Sequence, residues 1–317
     1  MDSLKEKSLL VVGGTGFIGS ALLKKANKLG MKTTSLSLKN PINTNIIENT
    51  NYIIADTSDS ENLQKIFSDL KFNYVVNLAG YINHDLISDG GFSIIETQLN
   101  LLNNLVSIFN VKELIRFIQI GSSDEYGLNK SPQLETIRED PISPYSLAKV
   151  MNTHYLQMLN KTENFPAVIL RLFLVYGPRQ KMNRLIPYVI KSCIQNKKIT
   201  LSEGNQIKDF TYVDDVVDFI LISFIKKNLE GNIINIGSGK PISVNNIVKM
   251  INLKIKLGNP IFNKKYNKSI ENNELIPDLS KSKNLLNLNP KTSLDVGLQH
   301  TIDWYKSNLS LLKGLYD

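Results

Sequence analysis

The chain of 317 residues carries a single cysteine, three histidines and one tryptophan. One cysteine excludes an intramolecular disulfide framework and any multi-cysteine zinc site. His84, His154 and His300 are widely spaced, so no metal-ligand pair is expected. No apolar run approaches the ~20 residues of a membrane-spanning helix. The start, MDSLKEKSLLVVGG, sets charges before a short apolar run and then turns glycine-rich. A signal peptide would end in a small-residue cleavage site instead. The expectation is a soluble, cytoplasmic protein. The net charge of +8 comes from scattered Lys and Arg, with small clusters such as Lys197-Lys198, Lys226-Lys227 and Lys264-Lys265. Basic residues interleaved with aromatics along one face, as nucleic-acid binding requires, are missing. A modest basic bias suits an anionic small-molecule substrate.

What is present is a chain long enough for one large domain or two modest ones, with 42% hydrophobic residues to fill a core. Short apolar runs at 8–12, 32–38, 52–54, 73–78, 116–120 and 167–172 read as buried strands. Helix-period segments at 17–29, 60–70, 93–109 and 144–161 lie between them. Strand–helix alternation predicts an α/β fold, a doubly wound Rossmann-type parallel sheet. After Pro178 the pattern loosens into a helix at 183–196, short strands at 198–201, 210–213 and 232–236, and further helices. The expected division is 1–175 as the nucleotide-binding domain and 176–317 as a smaller lobe interleaved with the last sheet strands.

VVGGTGFIGS (11–20) follows the first strand and opens a helix, with Gly13, Gly16 and Gly19 spaced as G-x-x-G-x-x-G. Such a turn brings backbone close to a pyrophosphate, and the helix N-terminus points N–H groups at it. Thr15, Phe17 and Ile18 lie in the same turn. The second strand ends Leu36-Ser37-Leu38-Lys39. A carboxylate there would accept from an NAD ribose and repel a 2′-phosphate; Ser37 with Lys39 favours NADP(H), with NAD(H) possible. Asp56 and Thr57 follow the third strand, where Asp56 could bond the adenine amino group. Leu78, Ala79 and Gly80 end the fourth, beside the expected crevice.

IGSSDEYG (120–127) ends the fifth strand, and SPYSLAK (143–149) opens the next long helix. Tyr145 and Lys149 are four residues apart and share a helix face. A free tyrosine with a pKa of ~10 is a poor acid–base catalyst at neutral pH, and a nearby ammonium and an oxidised nicotinamide would favour the phenolate. Ser122 could hydrogen-bond the reacting hydroxyl or carbonyl.

These segments resemble the extended short-chain dehydrogenase/reductase family of nucleotide-sugar epimerases, dehydratases and reductases. GGTGFIG, Asp56, NLAG (77–80), Asn100, SSDEYG, SPYSLAK, RLFLVYGPRQ (171–180), IKDFTYVDD (207–215), NIGSG (235–239) and the stretch LSKSKNLLNLNPKTSLDVGLQHTIDWY carry the resemblance, nearly the whole chain. It implies Ser122, Tyr145 and Lys149 as catalytic residues, with Lys149 also bonding the nicotinamide ribose. It implies a C-terminal lobe that binds a nucleoside-diphosphate sugar. It also implies a homodimer built on a four-helix bundle from segments 93–109 and 144–161.

Ser123, Leu174, Lys208, Tyr212 and Lys268 fall at substrate positions, and Gly204 and Asp214 shape the same lobe. Leu174 and Lys208 depart from the usual Asn and Arg. His84, His154, Cys193 and Trp304 read as structural. Asp124 could act as an acid–base group in place of a dehydratase Glu, one methylene shorter. GSSDEYG is similar to the GSSEEYG of GDP-4-keto-6-deoxymannose reductases. IPYVI (186–190) with IKDFTYVDDVV is similar to CDP-abequose synthases. The expectation is therefore NADP(H)-dependent reduction of a 4-keto-6-deoxy nucleotide sugar in polysaccharide or deoxysugar biosynthesis. The alternatives are a C4 epimerase, a 4,6-dehydratase or a non-catalytic dinucleotide-binding protein; the last would be expected to lose Tyr145 or Lys149.

Overall fold

Ser8–Val12 form β1, and Leu9 through Val12 are all buried. A strand covered on both faces has no polar alternation to show, which is why it reads as a continuous apolar run. The computed structural model describes residues 2–42, 46–80, 85–109, 111–263 and 272–309. In it β1 leads to α1 (Phe17–Lys28), β2 (Lys32–Ser37), β3 (Thr50–Ile54), α2 (Ser60–Phe67), β4 (Tyr74–Asn77), α3 (Phe92–Ile108), β5 (Arg116–Ser122), α4 (Pro144–Glu163) and β6 (Ala167–Leu172). The second half runs β7 (Leu174–Tyr176), α5 (Leu185–Ile194), β8 (Lys198–Leu201), β9 (Ile207–Lys208), β10 (Phe210–Tyr212), α6 (Val213–Ile225) and β11 (Ile233–Ile236). It ends with β12 (Ile242–Ser243), α7 (Val244–Ile255), β13 (Asn259–Phe262), β14 (Glu274–Leu275), α8 (Ser280–Leu286) and α9 (Leu294–Asn308).

Seven parallel strands form one sheet in the order β11-β6-β5-β4-β1-β2-β3. This is the Rossmann-type architecture the alternation predicts. One face carries α1, α6 and α8, packed through Leu22, Leu23, Val217, Ile220 and Leu286. The other carries α2, α3 and α4 through Leu63, Leu102, Leu105, Leu156 and Leu159. The strand order reverses direction between β1 and β4, and a crevice beyond their C-terminal ends is where such sheets take ligands.

The second half contributes β11 to the sheet and α6 to its face, so the chain returns to the first core after leaving it. A separate cluster gathers Ile186, Val189 and Ile190 of α5, Ile247, Val248 and Ile251 of α7, and Leu298 and Ile302 of α9. Cys193 is buried in this cluster, and Trp304 packs at its edge. Among the described residues no helix is long and apolar enough to cross a membrane.

Candidate active site

The glycine turn between β1 and α1 sits at the switch point. Gly13 has φ +83°, and a Cβ there would stand 3.2 Å from the Ala79 nitrogen. The turn thus lies directly against the chain leaving β4. Helix α1 begins after Gly16 with no side chain capping its N-terminus. The backbone N–H groups of Phe17, Ile18 and Gly19 are therefore available to an anion. The side chains of Phe17 and Ile18 turn away into apolar clusters, so these residues can offer a ligand only their backbone.

At the end of β2 the structure alters the reading of Ser37. Its hydroxyl is buried, accepts from the Thr15 amide at 3.3 Å and pairs with Ser35 Oγ at 3.3 Å. It braces the glycine turn instead of pointing outward. Lys39 is exposed two residues further. Asp56 is exposed and closes a turn on Ser58, accepting from its amide at 2.9 Å and its hydroxyl at 2.8 Å. Those two bonds hold its carboxyl below the usual range. Thr57 fixes α3 through its carbonyl, which accepts from Asn104 at 2.9 Å.

Gly80, after Leu78 and Ala79, has φ +143°, and a Cβ there would lie 3.3 Å from Lys149 Nζ and 3.5 Å from Gln98 Oε1. Gln98 is buried with neither amide atom partnered. A buried, unsatisfied amide beside a gap of this kind fits a polar ligand, and the cradle suits the nicotinamide half of a dinucleotide. The family resemblance points to Asn100, but Asn100 is exposed and Gln98 is the residue turned toward Lys149. Helical phase is the signal that finds it: of the two, only Gln98 lies on the buried stripe with Ile95, Leu101, Leu102 and Leu105. Gly80→Ala should weaken nicotinamide-nucleotide binding by about tenfold or more, a loss of about 1.4 kcal/mol, as read by calorimetric titration.

Ser143 caps α4, accepting from the Ser146 amide at 3.1 Å, and Pro144 takes the first helical position. This start projects Tyr145 and Lys149 toward the end of β5. Both are buried, and Lys149 Nζ lies 5.7 Å from the Tyr145 ring centroid while donating to the Ile120 carbonyl at 3.1 Å. Ser122 hydrogen-bonds the Tyr145 hydroxyl. Burial, then the charge of Asp124, pushes the Tyr145 hydroxyl well above the usual tyrosine range, with Ser122 opposing. In the chain alone burial outweighs this, and the phenolate expected from sequence calls for the oxidised nicotinamide as well as Lys149. Lys149 is lowered to about 8 by burial, opposed by the charges of Glu125 and Asp124.

Ser123 is buried, and Asp124 is half-buried on the 3-10 turn Ser123–Tyr126. Glu125, which carries no role in the sequence motif as read, is fully buried and engages Ser122, Thr153 and Arg171.

The residues assigned to substrate separate. Leu174 on β7 is half-buried against the lobe cluster. Lys208 donates to the Asn272 carbonyl at 2.7 Å. The Tyr212 ring is buried edge-on against Tyr176 and His300, in the lobe's core. Asp214 is exposed, whereas Asp215 is buried and accepts from the amides of Lys291 and Thr292, each at 3.0 Å. Gly204, at φ +70°, turns the chain against Asn245. His154 is exposed and faces Glu139 at 3.3 Å. Lys268 and His84 lie outside the described residues.

A family model described as NAD dependent epimerase/dehydratase matches residues 9–237. The uncharacterized UDP-glucose epimerase YtcB of Bacillus subtilis is 30% identical over 321 residues, covering 94% of this chain and 98% of that one. The dTDP-D-glucose 4,6-dehydratase of Homo sapiens is 28% identical over 318 residues, covering 95% and 91%. The structure of UDP-glucuronic acid 4-epimerase from Bacillus cereus, in complex with UDP-glucuronic acid and NAD, superposes with a TM-score of 0.82 at 28% identity, covering 95% of this chain and 99% of that one. Epimerases and dehydratases, not the expected 4-keto-sugar reductases, stand among these relatives. With the glycine turn, the seven-stranded sheet and the Ser122–Tyr145–Lys149 cluster in agreement, the chain belongs to the NAD dependent epimerase/dehydratase family.

Proposed function

We propose that this chain is a nucleotide-sugar C4 epimerase, replacing the reductase reading drawn from GSSDEYG. The composition of the site around Tyr145 carries the proposal. Ser122 and Tyr145 form one pair of hydrogen-bonded hydroxyls, backed by Lys149. Two carboxylates act on Tyr145, and one of them, Glu125, is bound to Arg171 and Thr153. A 4,6-dehydratase needs an acid and a base at C5 and C6 beyond the oxidation at C4, and Asp124 alone is left for both. Epimerisation needs only proton transfer at O4. The epimerases among the relatives support the same choice.

A nicotinamide nucleotide held by the glycine turn and by Gln98 and Lys149 beside Gly80 would supply reversible hydride acceptance at hexose C4. Tyr145 takes the proton from O4 as C4 is oxidised and gives it back when C4 is reduced from its other face. Ser122 holds O4 in both states. The Lys149 ammonium favours the phenolate that Tyr145 must be before it takes the proton, and must become again once it has given it back. Leu174, Lys208 and Lys268 are proposed to contact the nucleotide sugar.

The test is incubation with UDP-glucose, UDP-galactose or UDP-glucuronate, with NAD(H) or NADP(H) added in catalytic amounts. A 4-epimer appearing without net consumption of reduced nucleotide supports the proposal. In a parallel incubation with a 4-keto-6-deoxy nucleotide sugar and stoichiometric NADPH, reduced nucleotide consumed mole for mole would restore the reductase. Loss of one water from the sugar would assign Asp124 to elimination and make the chain a dehydratase.

Ser37 leaves no carboxylate to repel a 2′-phosphate, and Lys39 is exposed nearby. NADP(H) should accordingly bind at least as tightly as NAD(H), and Lys39→Ala should weaken NADP(H) by roughly tenfold, about 1.4 kcal/mol. Fluorescence titration of both nucleotides decides, and clearly tighter NAD(H) binding to the unaltered chain defeats this reading.

A homodimer through α3 and α4 is proposed on their outward faces. Phe92, Leu147 and Met158 are exposed there, and Tyr155 donates to Asn103 at 2.9 Å to bind the two helices together. Light scattering at micromolar concentration should give twice the chain mass.

A further inference from the structure

Glu125 lies at the centre of a buried polar assembly. Its Oε1 accepts from the Ser122 amide at 2.9 Å. Its Oε2 accepts from Thr153 Oγ1 at 2.8 Å, from Arg171 Nε at 2.9 Å and from Arg171 Nη2 at 2.7 Å. Glu125 and Arg171 are both wholly inaccessible to solvent. Arg171 reaches on to Glu139 at 2.6 Å and lies over the Tyr126 ring at 4.8 Å. Tyr126 in turn donates to Asn235 at 2.7 Å. The β5 strand makes room for this pair. A Cβ at Gly121 would come within 2.6 Å of Glu125 Oε1 and 3.1 Å of Arg171 Cγ.

Burying an ion pair yields little net stability compared with apolar packing of the same volume, so stability alone is a weak account of its presence. The position of the carboxylate suggests more. One oxygen fixes the backbone of the residue that hydrogen-bonds the Tyr145 hydroxyl. Its charge also acts on Lys149. The groups around Lys149 are Asp124 and Glu125 on the 3-10 turn, Tyr145 on its own helix, the neutral Gln98 amide on α3, the Ile120 carbonyl on β5, and Arg171 on β6 beyond Glu125.

We propose that Glu125 is a positioning residue for the Ser122–Tyr145–Lys149 site: clamped by Arg171 and Thr153, it holds Ser122 in register and supplies the buried negative charge that keeps Lys149 an ammonium. The catalytic part rests on the epimerase reading; the electrostatic part does not. Two variants of the whole chain separate them. Glu125→Gln removes the charge at nearly constant size. Glu125→Asp keeps the charge but draws it back by one methylene from the Ser122 amide. Arg171 keeps Glu139 as a partner in both.

The first readout is a pH titration of the Lys149 Cε resonance by carbon NMR on protein free of substrate, assigned with Lys149→Met. Glu125→Gln should lower its midpoint by roughly one unit, as loss of a nearby opposite charge requires. The alkaline limb of kcat/KM should move down with it. A purely structural role would leave both midpoints in place, and that outcome overturns the proposal. Glu125→Asp should hold the midpoint while kcat falls by about tenfold or more with KM little changed, the pattern of lost alignment. Unchanged kcat in that variant also overturns the proposal, including when Glu125→Gln yields no folded protein. If the unaltered chain turned over no nucleotide sugar, the epimerase reading would fall, and the Lys149 titration would still decide this one.

Discussion

Tyr145→Phe should leave the chain folded, binding nicotinamide nucleotide nearly as before, with turnover lower by two to four orders of magnitude. That range is the contribution of a positioned proton-transfer group, about 3–5 kcal/mol of barrier. The ring is buried and keeps its packing in phenylalanine. What goes is the hydroxyl that Ser122 hydrogen-bonds. Binding and chemistry should separate because the cradle around Gly80 is lined by Gln98 and Lys149, whose side chains the substitution leaves alone. Near-normal turnover would mean that the proton travels by another route, and the mechanism would be wrong. Chromatographic product assays beside calorimetric binding give both numbers from one preparation.

The pH profile should carry a second signature of the same group of residues. Burial lowers Lys149 to about 8. Below that value it is an ammonium and favours charge on Tyr145; above it the favourable interaction disappears. The expected kcat/KM therefore declines on the alkaline side with a midpoint near 8. A profile flat to about pH 10 would show that Lys149 does not act through its charge.

The sheet was legible because its strands are covered on both faces. Ala167–Leu172 is buried throughout and reads as an apolar run interrupted only by Arg171. Ser143-Pro144 marked the start of α4 through ordinary capping chemistry. The second half was harder. β9 and β12 have two residues each and β7 and β10 three, too few for periodicity to register.

At the site, Ser122, Tyr145 and Lys149 could be read from spacing, since one helix and one strand end bring them together. Glu125 and Arg171 could not, because they lie 46 residues apart and meet only when β5 pairs with β6. That Tyr212 is buried and Asp214 exposed was not legible for a related reason. Which face of a strand end or helix start meets solvent depends on packing against β7 and α9, and local sequence does not encode it.

The largest loss of stability should come from Arg171, not from any residue that touches substrate. Arg171→Met fills similar space yet leaves Glu125 buried with only the Thr153 hydroxyl and the Ser122 amide as partners. Removing one member of a buried pair in this way costs about 3–5 kcal/mol. Glu139 loses its 2.6 Å contact at the same time, and the Tyr126 ring loses the cation above it. Arg171→Lys should fall between the two proteins. It retains a charge near Glu125, but an ammonium cannot replace the planar fork that serves Glu125 and Glu139 together. Chemical denaturation followed by circular dichroism should order the midpoints as unaltered chain, then Lys, then Met. A Met variant as stable as the unaltered chain would show that Glu125 finds compensation elsewhere, and Arg171 would then not be the contact on which the buried carboxylate depends.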